Sequence, residues 1–171
     1  MVMKTRLIAP LLAILLSGCI TEKDEENIGI QRGDALPDFS VDLSNGRRIS
    51  ADDMKGKRVL IEFFNTSCGD CRRGLPSVDS VYLEYKDNPD VLVMAIARDE
   101  RAAKIESYWE SNGLSIPYSA QDDRRIYNLF ATTGIPRTFI SNEQGMVVAT
   151  FGDADLPTFS MLRDALTSPS D

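Results

Sequence analysis

Val59-Leu60-Ile61-Glu62-Phe63-Phe64-Asn65-Thr66-Ser67-Cys68-Gly69-Asp70-Cys71 is the stretch that decides how this chain folds. Its first six residues form a nearly continuous apolar run, the pattern of a central strand buried on both faces. After the cysteines, Leu75, Val78, Val81 and Tyr82 recur at helical spacing up to about Lys86. A C-x-x-C therefore stands where a buried strand hands over to a helix. Two intervening residues in a first helical turn bring both sulfurs within bonding range. The first cysteine lies near the helix N-terminus, where unpaired N–H groups and the positive dipole end favour a thiolate. The second, one turn inward, can attack a mixed disulfide and release product. On this logic Cys68 is the nucleophile and Cys71 the resolving thiol. Glu62 interrupts the apolar run, where an ionised carboxylate is costly. Either it is a buried acid, or the strand lies at a sheet edge and the carboxylate reaches solvent.

Working outward, Val91 to Ala97 reads as a second buried strand, and Ala102 to Ser111 as an amphipathic helix ended by Asn112-Gly113. Asp122 to Phe130 reads as a shorter helix, followed by Thr133-Gly134-Ile135-Pro136. Thr138 to Ser141 and Met146 to Phe151 flank the turn 142–145 as a hairpin, and Leu156 to Leu166 closes the chain as a helix. Upstream, Pro37 to Ser50 holds two short alternating runs about Ser44-Asn45-Gly46, a hairpin signal, and 52–57 is a polar turn. This order predicts an α/β sandwich with a mixed sheet, with no internal repeat and no second domain.

The totals exclude several functions. A chain of 171 residues with 43% apolar content supports one packed domain. The formal charge is −7, and no dense Lys/Arg cluster exists, so nucleic acid is not an expected partner. Histidine is absent, which excludes His-based triads, His-ligated metals and imidazole shuttles. Zinc uses the C-x-x-C spacing too, but no second ligand pair is present, so no metal is expected. An inert structural disulfide is the remaining bland reading.

The first segment reads as an address. Lys4 and Arg6 precede an apolar run, Leu7 to Leu16, too short for the roughly 20 residues of a spanning helix. Residues 1–18 have the anatomy of a secretory signal peptide. Leu16-Ser17-Gly18-Cys19 resembles the lipobox of bacterial lipoproteins, whose cysteine becomes the acylated first residue. Removing 1–18 takes away two cations and moves the charge from −7 to −9. Residues 19–34 then read as a lipidated N-terminus and flexible tether, and 35–171 as the domain. The acidic stretch Glu22 to Glu26 resembles surface-export signals of Bacteroidetes lipoproteins, with a solvated spacer as the equal alternative. One cysteine of three goes to lipid, leaving Cys68 and Cys71 as a pair outside the cytosol, where disulfides persist.

At the cysteines and their surroundings the chain resembles the thioredoxin superfamily, most closely its membrane-anchored TlpA/ResA-like branch. The resemblance spans Ala35 to Ser168: the opening hairpin, Lys55-Gly56-Lys57, the Glu62-to-Pro76 segment and Gly134-Ile135-Pro136. It implies a thioredoxin-like three-layer sandwich with a mixed central sheet, flanking helices and an N-terminal hairpin. The resemblance makes Pro136 a cis-proline beside the disulfide, with a plain trans proline starting a strand as the alternative. It implies that Ile135 offers its backbone to a substrate strand, and that Ser67, Gly69, Asp70 and Gly134 line the substrate site. Pro76 matches a proline that kinks the first helix. Glu62, six residues before Cys68, matches a buried acid that accepts a proton from Cys71. Gly152 matches a family glycine near the site, or is a turn glycine.

Departures from the family pattern are Ser67 in place of Trp, Gly69-Asp70 between the cysteines, and Gly74 where a Glu is common. Asp70 sets a negative charge against the helix dipole. Arg72, Arg73 and Arg137 either flank the groove and attract an acidic partner or make a solvated surface. Tyr108 and Trp109 are expected to pack rather than bind.

The resulting expectation is an extracytoplasmic thiol–disulfide oxidoreductase, leaning reductase, with no cofactor beyond the Cys68–Cys71 disulfide. Its partners are protein thiols and disulfides, a membrane electron donor, and the membrane through the lipid on Cys19. A monomer is expected in the cell envelope of a Gram-negative bacterium, on the periplasmic face or the cell surface. The rivals are a redox-inert binding module on the same fold, a copper-handling protein (opposed by the lack of histidine), and a thiol peroxidase.

Overall fold

The computed structural model describes residues 29–168. The expected signal peptide, Cys19 and the tether up to residue 28 lie outside the described residues. The hairpin forms where the Asn-Gly signal puts it: β1 (Ser40–Asp42) pairs antiparallel with β2 (Arg48–Ser50), Val41 opposite Ile49. Within the expected polar turn the chain instead makes a one-turn helix, α1 (Ala51–Met54). Asp53 explains it: its Oδ2 accepts from the Ser50 N–H at 2.9 Å and the Ser50 hydroxyl at 2.6 Å, closing the helix start. Met54 is thereby turned into the core.

Five strands make the main sheet: β3 (Arg58–Phe64), β4 (Val91–Ala97), β5 (Tyr118–Ser119), β6 (Arg137–Ser141) and β7 (Val147–Phe151). Their order is β5-β4-β3-β6-β7. The first three run parallel, while β6 and β7 are antiparallel additions. The sheet is thus mixed, and β3 lies at its middle. β5 has no sequence signature because only Tyr118 and Ser119 pair, with Ala95 and Ile96.

Strand parity sorts the β3 side chains. Val59, Ile61 and Phe63 enter a core shared with the hairpin, Met54, Tyr127 and Phe130. Leu60 and Phe64 enter the opposite core, shared with α2 (Gly69–Tyr85), α3 (Ala102–Asn112) and α4 (Phe159–Thr167). Phe63 packs edge-on against Tyr127 and Phe139, and burial of one such ring contributes roughly 2–3 kcal/mol. Trp109 is buried too, with Nε1–H donating to Ile116 O at 2.8 Å; it packs, as expected.

Two expectations change. The helix expected over Asp122 to Phe130 is only a 3₁₀ turn at Tyr127–Leu129. Buried Tyr127 and Phe130 are three residues apart, which suits 3₁₀ rather than α geometry. The start of the segment is committed elsewhere: Glu100 bridges to Gln121, and the Asp99 N–H donates to Asp123 O. The second change concerns Gly29 to Asp34, read from sequence as tether. This stretch is docked on the domain: Ile30 N–H donates to Phe130 O, Gly33 N–H to Val147 O, and Val147 N–H to Asp34 O. A Cβ at Gly29 would lie 2.5 Å from Phe130 O, so only glycine allows that approach.

Candidate active site

α2 begins at the first cysteine. Cys68 is its N-cap, with extended backbone, and its Sγ accepts from the Cys71 N–H at 3.4 Å. The sulfur thus takes the place of the side-chain oxygen that usually caps a helix. Both cysteines are free thiols; Cys68 is partly exposed and Cys71 wholly buried. Burial pushes the Cys71 thiol up, the hydrogen bond with Cys68 adds to this, and the Asn65 backbone opposes it. The two sulfurs are thereby differentiated, one open to a partner and one protected. Asp70, between them, is paired with Arg73 one turn on, so the expected negative charge is met by a cation. Pro76 lies inside α2 as expected.

Three residues before Cys68 form a pinned loop. Ser67 N–H donates to Asn65 Oδ1 at 2.9 Å and Arg72 Nε–H to Thr66 O at 2.6 Å. Arg72 also lies 5.9 Å from the Tyr108 ring centre, so it is part of the scaffold. Ser67 and Gly69 are exposed on the rim, and a Cβ at Gly69 would meet nothing within 4 Å.

Facing this loop, the Ile135–Pro136 peptide bond is cis and Pro136 is buried. The Cys68 thiol donates to Ile135 O at 3.5 Å, which brings the expected pairing residue against the nucleophile. Gly134 has φ +78°, and a Cβ there would lie 3.2 Å from Arg137 Nη2. Gly152 approaches the same guanidinium from β7's end, so Arg137 lies between two glycines. A cleft of about 740 Å³ opens here, between Thr132–Gly134 with Arg137 and the segment Phe151–Asp155. Neither this cleft nor a smaller groove of about 180 Å³ between Leu36, Met54 and Gly145 is lined by the cysteines themselves.

Glu62 settles in the interior. β3 is central, so the edge-strand alternative fails: the residue is 1% exposed. By parity it faces the α2 side, the side of Cys71. Desolvation pushes its carboxyl up to about 7, against the hydrogen bond from Thr138 Oγ1 to Oε2 at 2.6 Å. The carboxylate is close enough to Cys71 for its charge to add to the upward push on that thiol. A carboxyl that ionises near 7, within electrostatic reach of a buried thiol, has the chemistry of a proton acceptor.

Several supporting residues carry no sequence signal. The Tyr127 hydroxyl donates to the carbonyls of Thr133 and Gly134. Arg124 Nη2–H donates to Thr132 O at 2.9 Å, and its guanidinium lies 5.5 Å from the Tyr127 ring centre. Buried Glu100 accepts from the Thr66 N–H at 2.7 Å and hydroxyl at 2.6 Å, and pairs with Lys104 at 2.6 Å. Lys104 Nζ also donates to Ser67 Oγ at 2.5 Å. These partners are remote in sequence, so no local pattern announces them. Among the described residues no three His, Cys, Asp or Glu side chains group as a metal site, and no helix there is long and apolar enough to cross a membrane.

Comparison with known proteins places these features in a family. The Redoxin family model matches residues 31–166. The thiol-disulfide oxidoreductase ResA of Bacillus subtilis (strain 168) is 29% identical over 119 residues, 70% of this chain and 66% of that protein. The thioredoxin-like protein YneN of the same strain is 30% identical over 124 residues, 72% of each chain. Among solved structures, a thioredoxin family thiol:disulfide interchange protein from Chlorobium tepidum TLS is similar in fold, with a TM-score of 0.64 at 24% identity. That match covers 80% of this chain and 99% of the other.

Proposed function

Since the chain belongs to the Redoxin family, we propose that it is an extracytoplasmic thiol–disulfide oxidoreductase acting on protein thiols and disulfides through Cys68 and Cys71. One observation carries the reading: a partly exposed sulfur at the N-cap of α2 touches the Ile135 carbonyl, while its partner lies buried one turn inward. Cys68 thiolate attacks a substrate disulfide; one S–S bond breaks, a mixed disulfide forms, and a substrate thiolate leaves. Glu62 then takes the Cys71 proton, and Cys71 attacks Cys68 Sγ, forming Cys68–Cys71 and releasing the second substrate thiolate. Pro136 and its neighbours Gly134 and Ile135 shape the face that receives the substrate chain, with Ser67, Gly69 and Asp70 on the opposite rim. No cofactor is required, because the electron pair resides in the two sulfurs.

The direction proposed is reduction, with the pair kept reduced by a membrane donor, since the histidine-containing pair of strong oxidants is missing. Lipidation at Cys19 would hold a monomer at the cell envelope. The Gram-negative assignment rests on the acidic stretch Glu22–Glu26, whereas the similar ResA and YneN proteins come from Bacillus subtilis. The decisive measurement is the equilibrium reduction potential of Cys68–Cys71. A value near about −270 mV supports a reductant, and one near about −120 mV reverses the direction. A Cys68→Ser variant that keeps full biological activity would instead favour the redox-inert binding module. Catalytic consumption of peroxide by the reduced protein would favour the peroxidase.

A further inference from the structure

The two loops that meet at Cys68 Sγ come from distant parts of the chain, Asn65–Ser67 and Thr132–Ile135. Both are fastened to the same three residues, Arg98-Asp99-Glu100, just past the end of β4. The Arg98 N–H continues the ladder to Phe64 O at 2.8 Å. The backbone then turns at Asp99, a non-glycine residue with φ +60°, a conformation of limited access to L-residues. Around this turn the attachments diverge. On one side, Asn65 Nδ2–H donates to the carbonyls of Arg98 at 3.2 Å and Asp99 at 3.4 Å, and the Glu100 carboxylate holds the Thr66 N–H and hydroxyl. On the other, Arg98 Nη1–H donates to Gly134 O at 3.4 Å, with its guanidinium 5.1 Å from the ring centre of Tyr127. Tyr127 itself donates to the Thr133 and Gly134 carbonyls.

We propose that the Arg98–Glu100 turn is a clamp that sets the separation between the Cys68 sulfur and the Ile135 backbone, with Arg98 and Glu100 as positioning residues that favour polypeptide disulfides over small ones. The inference deepens the oxidoreductase reading and rests on it. An extended substrate must pair its main chain with Ile135 while presenting a sulfur in line with Cys68, so both loops must be in register at once. A misplacement of about 1 Å in such an arrangement can cost on the order of a hundredfold in rate. A small disulfide has no strand to pair and needs only the sulfur.

The test uses the full chain carrying Cys71→Ser, so that attack by Cys68 stops at a mixed disulfide, with one S–S bond broken, one formed and one thiolate released. Adduct formation at Cys68 is followed by peptide mapping, with an extended peptide disulfide and with an aromatic small-molecule disulfide. Arg98→Met keeps the aliphatic stem and removes the donor to Gly134; it is expected to lower the peptide-to-small-molecule rate ratio by about tenfold, the scale of one hydrogen bond to a charged group. Arg98→Lys should recover part of that loss. Glu100→Ala tests the other arm if Arg98→Met does not fold: it should lower the same ratio, and Glu100→Gln, which keeps an acceptor for Thr66, should restore it. An unchanged ratio in Arg98→Met and Glu100→Ala, or parallel loss with both probes, overturns the clamp alone. Failure of Cys68 to react even with the small disulfide overturns the oxidoreductase reading with it.

Discussion

Glu62 and Thr138 stand opposite one another in the β3–β6 register, and the Thr138 hydroxyl donates to Glu62 Oε2 at 2.6 Å in a fully enclosed site. The bond favours the carboxylate while burial opposes it, and burial prevails, leaving the group near neutrality at about 7.

This balance makes stability depend on pH with a definite sign. The folded chain holds the Glu62 proton up to about 7, whereas the reference carboxyl releases it near 4.5. Between those values the folded state binds more protons, so the neutral acid is tolerated at low pH and stability falls as pH rises through the window. Glu62→Gln should match the wild type near pH 4 and exceed it at pH 8 by roughly 3 kcal/mol. Denaturant midpoints at the two pH values give the answer, and equal midpoints at pH 8 would remove the buried-acid account.

Thr138→Val removes the hydroxyl that lowers the Glu62 pKa. If Glu62 takes the Cys71 proton, the pH inflection in mixed-disulfide resolution should move upward in Thr138→Val. Stopped-flow release of a fluorescent peptide thiol, followed from pH 5 to 10, reads the shift. An inflection that stays in place separates Glu62 from the step.

The two thiols should alkylate unequally. Cys68 is accessible, and Cys71 is both buried and held protonated. Since the thiolate is the reactive form, iodoacetamide at pH 7 should modify Cys68 faster by on the order of a hundredfold or more. Peptide mapping against time tests this directly, and comparable rates would contradict the assigned roles.

Asp79 provides a structural contrast. It is buried in α2, and its Oδ1 accepts from the Ser115 and Ile116 N–H groups, each at 2.7 Å, tying the connection between α3 and β5 to the helix. Asp79→Ala leaves both donors without that acceptor and should cost about 2–3 kcal/mol. Thermal unfolding should register the loss, while exchange by the folded protein at 20 °C stays within about twofold, less than the tenfold effect of 1.4 kcal/mol.

Gly134→Ala should impair the substrate face. Its φ of +78° disfavours an L-residue, and the new Cβ would crowd Arg137 at 3.2 Å. The expected cost is about 1–2 kcal/mol in stability, with slower exchange of peptide disulfides. Undiminished peptide exchange would show that the loop conformation at Gly134 is not needed for substrate capture.

Periodicity and motif make much of this protein legible in its sequence. The nearly continuous apolar run at Val59–Phe64, interrupted by Glu62, and the run at Val91–Ala97 have the pattern of strands buried on both faces, and both are inner strands. The C-x-x-C at the strand-to-helix junction announced its chemistry because its spacing and its place at a helix start are local properties. The 3₁₀ turn at Tyr127–Leu129 and the two-residue β5 escaped, since each depends on partners far along the chain rather than on its own pattern. Sequence alone left open whether Glu62 meets solvent; the antiparallel addition of β6 and β7 beyond β3 decided it, by moving β3 from a possible edge to the centre. The contacts that join the two active-site loops through Arg98, Glu100 and Tyr127 are likewise tertiary. They arise because the buried Glu100 and the half-buried Arg98 at the end of β4 find polar partners there, and only the folded chain brings Thr66 and Gly134 within reach.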